Sequence, residues 1–256
     1  MKKHNFNSGP SILPDEVLKE ASGAILNFNG LGLSILEIGH RTPWFTEVIE
    51  EARSLVKQLM GLGDEYAVLF LQGGATTQFM QVPLNLLGDD QQAAYINNGI
   101  WGTKAIKEAG VFGKVTTVGD TSDKNHSYIQ KSFTIPQNVN YLHYTTNNTV
   151  EGTQWHQLPK SSVPLIADMS SDIFSRPVAF DKHALIYAGA QKNAGAAGVT
   201  IVVIKKDILG KTGRNISPVL DYRNHIKAES MLNTPPTFAV YVSLLTLRWI
   251  IKEGGL

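Results

Sequence analysis

Seven short apolar runs, rich in β-branched and aromatic residues, recur along this chain at 68–71, 94–97, 115–118, 141–144, 165–167, 185–187 and 200–204, with helical patterns between several of them. Strands that alternate with helices predict an α/β fold, here a mostly parallel seven-stranded sheet with helices on both faces. The helical patterns are read at 14–28, 44–60, 76–86, 102–109 and 237–251. Within 44–60, Phe45, Val48, Ile49, Ala52, Leu55, Val56 and Leu59 form a stripe at helical spacing that stops at Gly61. Pro14, Asp15 and Glu16 suit a helix start, and Gly110 is read as the end of the helix over 102–109. The runs at 185–187 and 200–204 lie too close for a crossover helix, so one of these strands is expected to be antiparallel. No internal repeat, low-complexity tract or linker interrupts the pattern, which predicts one domain.

A length of 256 residues suffices for a substantial core, and 43% hydrophobic with 18% charged residues is ordinary for a globular chain. The net charge of +1 gives no argument for nucleic acid or acidic membrane partners. With no cysteine there is no disulfide, thiolate metal site or catalytic thiol, which suits a reducing cytoplasm. Residues 1–10 lack the apolar core of a signal peptide, and no run approaches the roughly 20 apolar residues that span a bilayer.

In open α/β sheets, ligands lie outside the carboxyl ends of the strands. Several polar residues fall at such ends. The segment Ile186-Tyr-Ala-Gly-Ala-Gln-Lys-Asn193 places Lys192 just after an apolar run, and Pro164-Leu-Ile-Ala-Asp168 ends another run on one carboxylate. A lysine and an acid so placed suit pyridoxal phosphate: the lysine can form a Schiff base with the aldehyde, and the acid keeps the pyridine nitrogen protonated. A lone lysine is otherwise most often a solvated surface residue. The turn Gly73-Gly-Ala-Thr-Thr77 follows a strand and opens a helix, an arrangement that favours a phosphate, although a Gly-Gly pair is also an ordinary tight turn. It is neither a Walker A loop nor a dinucleotide fingerprint. Trp101, at a strand-to-helix turn, can stack on a heteroaromatic ring or plug the sheet end. Thr149 lies in an Asn-rich loop and offers a hydroxyl. Arg41, beside His40, is a candidate anion site. Asn233 and Thr234 lead a stiff turn before the helix over 237–251, and a helix cap is the alternative reading.

These residues bring a resemblance into view. Phe6-Asn-Ser-Gly-Pro-Ser-Ile-Leu-Pro14, Glu37-Ile-Gly-His-Arg41, Gly73-Gly-Ala-Thr-Thr-Gln-Phe79, Tyr187-Ala-Gly-Ala-Gln-Lys-Asn193, Leu220-Asp-Tyr222 and Met231-Leu-Asn-Thr-Pro-Pro-Thr-Phe238 are similar to the phosphoserine aminotransferase family. That family is a branch of the class V aminotransferases with the fold-type I architecture. The resemblance runs along essentially the whole chain. It implies that Lys192 is the lysine bonded to the cofactor and Asp168 the partner of its pyridine nitrogen. It further implies that Trp101 stacks on the ring and that Thr149 bonds the ring oxygen. Ala75, Thr76 and Gln191 would hold the phosphate, with Asn233 and Thr234 reaching it from the neighbouring subunit of a homodimer. His40 and Arg41 would bind the anionic end of the substrate. Some relatives carry arginine where this chain has Thr76. The resemblance also implies a small C-terminal domain. Residues 1–15 therefore read as an N-terminal arm and 16–256 as the cofactor-binding large domain, with the small domain absent.

The function so implied is transamination between phosphoserine and 2-oxoglutarate in serine biosynthesis, with 4-phosphohydroxythreonine of pyridoxine biosynthesis as a second substrate. The alternative is a truncated domain that binds cofactor and dimerises with little or no turnover. A nucleotide-binding α/β protein is a weaker rival, because neither phosphate-loop fingerprint is present. A cysteine desulfurase is excluded for want of any cysteine.

Overall fold

A computed structural model describes residues 3–256. The strands in chain order are β1 (Tyr66–Leu71), β2 (Gln92–Asn97), β3 (Lys114–Asp120), β4 (Val139–Thr145), β5 (Asn147–Asn148), β6 (Thr153–Gln154), β7 (Leu165–Asp168), β8 (His183–Gly189) and β9 (Thr200–Lys205). The helices are α1 (Asp15–Leu26), α2 (Pro43–Met60), α3 (Gly74–Leu86), α4 (Ile100–Ala109), α5 (Tyr222–Lys227) and α6 (Thr237–Lys252). Seven strands form one sheet in the order β1-β9-β8-β7-β4-β2-β3, and β5 pairs with β6 in a small hairpin.

All seven expected runs are strands of that sheet. β2, β3, β4, β7 and β8 pair in parallel. β9 is antiparallel to both β8 and β1, as the short connection from β8 requires. Along each central strand the side chains alternate between two cores. Val68, Phe70, Ile186, Ala188, Ile201 and Val203 face α1, α2 and α6. Leu69, Leu71, Leu185, Tyr187, Val202 and Ile204 face α3, α4 and α5.

The helices follow from local chemistry. α2 starts with Pro43 in its first turn and buries Phe45, Val48, Ile49, Ala52, Val56 and Met60. It ends on Gly61, at a left-handed φ of 63°, where Gly61 N donates to the Gln58 carbonyl and Leu62 N to that of Lys57. α6 is apolar nearly all round because it lies inside the layer, against both α1 and α2. Gly110 ends α4 as read from the sequence, and does so in a right-handed conformation, at φ −61°. The helix read over 14–28 ends at Leu26, because Asn27 is extended at φ −160°. No described helix is long and apolar enough to cross a membrane.

Two buried histidines brace the sheet as neutral rings. His143 stacks between Tyr95 and Tyr187, at centroid distances of 4.7 and 5.9 Å, and its Nε2 lies 2.8 Å from the Tyr187 hydroxyl. His183 Nε2 lies 2.7 Å from the Tyr144 hydroxyl. Burial holds the His143 imidazole down at about 3 and that of His183 at about 4, against an ordinary 6.5. Below pH 6.5 the unfolded chain therefore takes up protons that the folded chain refuses, and stability falls as pH drops toward these values. Each histidine contributes a slope of about 1.4 kcal/mol per pH unit in that window. His143→Phe is expected to be less stable at pH 8 but to lose stability more gently between pH 6 and 4. Denaturant unfolding of both proteins across that range checks this, and parallel curves would contradict a neutral buried His143.

Candidate active site

The carboxyl ends of β1, β2, β4, β7 and β8 lie along one edge of the sheet, and the loops that leave them enclose a cavity of about 140 Å³. Gly74, Ala75 and Thr76 form one wall, Trp101 and Thr145 another, and Asp168, Gln191 and Lys192 the rest.

Lys192 follows β8 in the turn that leads to β9. Its Nζ donates to Thr149 Oγ1 at 3.0 Å and lies 5.3 Å from the centroid of the Trp101 ring. Partial burial lowers its pKa, while the charge of Asp168 opposes the shift. A larger fraction of the amine is thus neutral, and so available as a nucleophile and proton acceptor, than in a surface lysine. The N-terminal segment lies across this turn. Ser11 N donates to the Gln191 carbonyl at 2.9 Å, and Ser11 Oγ donates to the carbonyl of Lys192 itself. Gly9 passes so close that a Cβ there would sit 2.9 Å from Lys192 Cγ.

Asp168 ends β7 and is 4% exposed. Its Oδ1 accepts from Ser170 N at 3.0 Å and from Ser170 Oγ at 2.6 Å. Among the described residues its Oδ2 accepts no hydrogen bond. Burial raises the carboxyl pKa, against the pull of the Ser170 hydrogen bonds and the Lys192 charge.

The start of α3 is an anion site in waiting. Gly73, at φ 92°, is its left-handed N-cap and offers no side-chain cap, so the first backbone N–H groups of the helix remain available. A Cβ on Gly73 would lie 2.7 Å from Thr77 Cβ, which explains the glycine.

Trp101 is the second residue of α4, and the hairpin β5–β6 sets where that helix begins. Glu151 Oε1 accepts from Ile100 N at 2.7 Å. Gly99 leaves room for this contact, because a Cβ there would lie 2.7 Å from both Glu151 Oε2 and Asn148 Oδ1. One short hairpin therefore presents Thr149 to Lys192 and pins the helix that carries Trp101.

The sequence-based candidates Ala75, Thr76, Trp101, Asp168, Gln191 and Lys192 line this single cavity, and Thr149 joins it through Lys192. His40 and Arg41 do not line it; they precede α2, with Arg41 exposed. Asn233 and Thr234 also lie outside it, docked on Gln72. Asn233 Nδ2 donates to Gln72 Oε1, and Gln72 Nε2 donates to the Thr234 carbonyl, each at 3.2 Å. Neither caps α6, whose N-cap is Pro236 without a side-chain bond. Sequence reading passed over Ser170, Thr145 and Glu151. For Ser170 a partial signal existed, since an Asp side chain commonly accepts from the backbone N–H two residues on in an Asx turn, but nothing in that pattern marks the hydroxyl.

The donor set suits pyridoxal phosphate. A half-buried amine, a buried carboxylate with a free oxygen, an aromatic face and an uncapped helix start match its aldehyde, pyridine nitrogen, ring and phosphate. Two buried polar atoms at the cavity, Trp101 Nε1 and Thr145 Oγ1, lack any protein partner, as a site shaped for a polar guest requires.

Residues 3–256 match the aminotransferase class-V family. The fold is that of the pyridoxal-phosphate-dependent transaminases, and the chain is a member of this class. The phosphoserine aminotransferase of Flavobacterium johnsoniae is 57% identical over 257 residues, covering 100% of this chain and 72% of that protein. Among solved structures, phosphoserine aminotransferase from Bacillus circulans subsp. alkalophilus superimposes with a TM-score of 0.94 at 40% identity, covering 98% of this chain and 70% of that one. The pyridoxal-phosphate-bound enzyme from Trichomonas vaginalis gives 0.92 at 32%, covering 100% and 72%. The chain belongs to the phosphoserine aminotransferase family.

Proposed function

We propose that this chain transfers the amino group of O-phospho-L-serine to 2-oxoglutarate, giving 3-phosphohydroxypyruvate and L-glutamate, and that 4-phosphohydroxythreonine is a second donor. The observation that carries this reading is the facing of Lys192 and Asp168 across one cavity, in a chain 57% identical to a phosphoserine aminotransferase.

When bound, pyridoxal phosphate supplies an aldehyde for covalent attachment and an electron sink that makes the Cα–H of an amino acid acidic. The protein does the rest. Lys192 is the attachment point. Its amine would also serve as the base that takes the proton from the donor's Cα and, in the second half-reaction, returns one to Cα of the product amino acid. Thr149 Oγ1 orients that amine and would bond the ring oxygen. Asp168, through the free Oδ2, would hold the ring nitrogen in its protonated state. Trp101 would stack on the ring and exclude water from it. The backbone N–H groups of Ala75 and Thr76, with the Gln191 side chain, would bind the cofactor phosphate.

Residues 16–256 act as the cofactor-binding domain, with 1–15 as an arm. A homodimer with shared sites accounts for the remaining candidates. Asn233 and Thr234 lie beside their own chain's Gln72, outside the cavity, which suits delivery to a second copy's phosphate site. His40 and Arg41 likewise suit the phosphate or carboxylate of a substrate bound by the partner.

The test is kcat/KM for L-phosphoserine against L-serine, with 2-oxoglutarate as acceptor. A site built to bond the phosphate is expected to favour phosphoserine by at least about 10³-fold, a preference that Arg41→Ala reduces. Equal rates for the two donors would overturn the substrate assignment. Bound cofactor without turnover of any donor would favour the reading as a cofactor-binding, dimerising domain.

A further inference from the structure

Asp168 is fixed in two separate ways. Its backbone is pinned from the end of β4, where Thr146 N and Thr146 Oγ1 both donate to the Asp168 carbonyl at 3.0 Å. Its carboxylate is held by Ser170 alone. Among the described residues no other group lies within hydrogen-bond distance of either oxygen, and Lys192 makes no ion pair with it. Ser170 is 9% exposed and lines the same cavity.

The Ser170 hydroxyl does more than donate to Asp168 Oδ1 at 2.6 Å. It also accepts from Gly189 N at 3.2 Å. Gly189 ends β8, three residues before Lys192. One buried hydroxyl therefore joins the strand end that carries the acid to the strand end that leads to the lysine.

We propose that Ser170 is a positioning residue, which ties the Asp168 carboxylate to the β8 strand end and leaves its second oxygen free for the ring nitrogen of the cofactor. This rests on the reading of Asp168 as the ring-nitrogen partner. Two hydrogen bonds to Oδ1, from the backbone and the side chain of one residue, fix the carboxyl torsion and direct Oδ2 elsewhere. They also favour the ionised form of an acid that burial would otherwise protonate. Loss of the hydroxyl would remove one of these bonds and leave the buried Gly189 N–H without its partner.

The test is a double-mutant cycle on the dissociation constant for pyridoxal phosphate, in wild type, Ser170→Ala, Asp168→Ala and the double variant. Removing a hydrogen bond to a buried charge is expected to weaken cofactor binding about tenfold in Ser170→Ala. In the Asp168→Ala background the same substitution is expected to add less than about twofold, because its effect runs through Asp168. Thermal unfolding of each cofactor-free variant separates binding from folding. Ser170→Cys, which keeps the volume and a weak donor, is expected to fall between wild type and Ser170→Ala.

A second readout needs no cofactor. By carbon-13 NMR the Asp168 carboxyl of Ser170→Ala is expected to titrate at a higher pH than in wild type. The other charged or titratable groups facing it, Lys192, Asp172 and Tyr187, remain in place.

An unchanged dissociation constant in Ser170→Ala, or a loss that persists in full without Asp168, would overturn the proposal. An unchanged constant in Asp168→Ala is a separate failure, that of the ring-nitrogen reading itself.

Discussion

Lys192→Ala is expected to lower the transamination rate by at least about 10³-fold while leaving the cofactor-free protein as stable as wild type. General base catalysis alone accounts for about 10²- to 10⁴-fold, and this one amine also serves as the attachment point. The fold has little stake in the side chain. Lys192 is half-buried, its partial desolvation disfavours the charged form, and among the described residues its Nζ makes a single hydrogen bond, to Thr149. Steady-state rates together with thermal unfolding of the cofactor-free forms check both halves of the prediction. Residual activity above about a tenth of wild type would remove Lys192 from the chemistry, since a lost base costs far more. A large fall in unfolding temperature would show that the turn depends on the side chain.

The second large effect falls three residues on. Gly195→Ala is expected to destabilise the protein by about 3 kcal/mol or more, because backbone strain and steric overlap act together. Gly195 has φ 147°, a conformation that side chains rarely adopt, and a Cβ there would lie 2.9 Å from the Cα of Ser243 in α6. A helix backbone cannot swing aside as a flexible side chain could. For a chain of this size the loss corresponds to a fall in unfolding temperature of roughly 6–12 °C. Gly198→Ala is the control. It has φ 111° in the same turn, but a Cβ there would meet nothing closer than 3.6 Å. Strain without overlap is expected to cost about 1–2 kcal/mol. Equal losses in the two variants would refute the close approach to α6 as the cause. Because this turn also carries Lys192, Gly195→Ala is expected to weaken cofactor binding even at temperatures where the protein is folded.

The framework was legible in the sequence because the apolar runs are long enough to carry a period. The seven runs map onto seven strands, and the shortness of the link from 187 to 200 pointed to one antiparallel strand, which is β9. The placement of Lys192 and Asp168 beside one cavity was legible for the same reason: Asp168 ends a buried run, Lys192 closely follows another, and strand ends in such sheets converge. The pieces that escaped notice are short or depend on distant contacts. α5 has six residues, and β5 and β6 have two each, too few to show any periodicity. Glu151 gains its role only when the hairpin folds back on α4, fifty-one residues away in sequence. Arg41 and Asn233 show the opposite limit. Their motifs are legible, yet within one chain neither lines the cavity, because a motif does not say where the fold carries it.

The most direct measurement is the visible absorption spectrum of the purified protein with pyridoxal phosphate, before and after L-phosphoserine, with Lys192→Ala alongside. A cofactor band that depends on Lys192, and that phosphoserine shifts to the pyridoxamine form, is the expected result. A folded protein with no lysine-dependent band would contradict the assignment of Lys192 and Asp168 as the cofactor site.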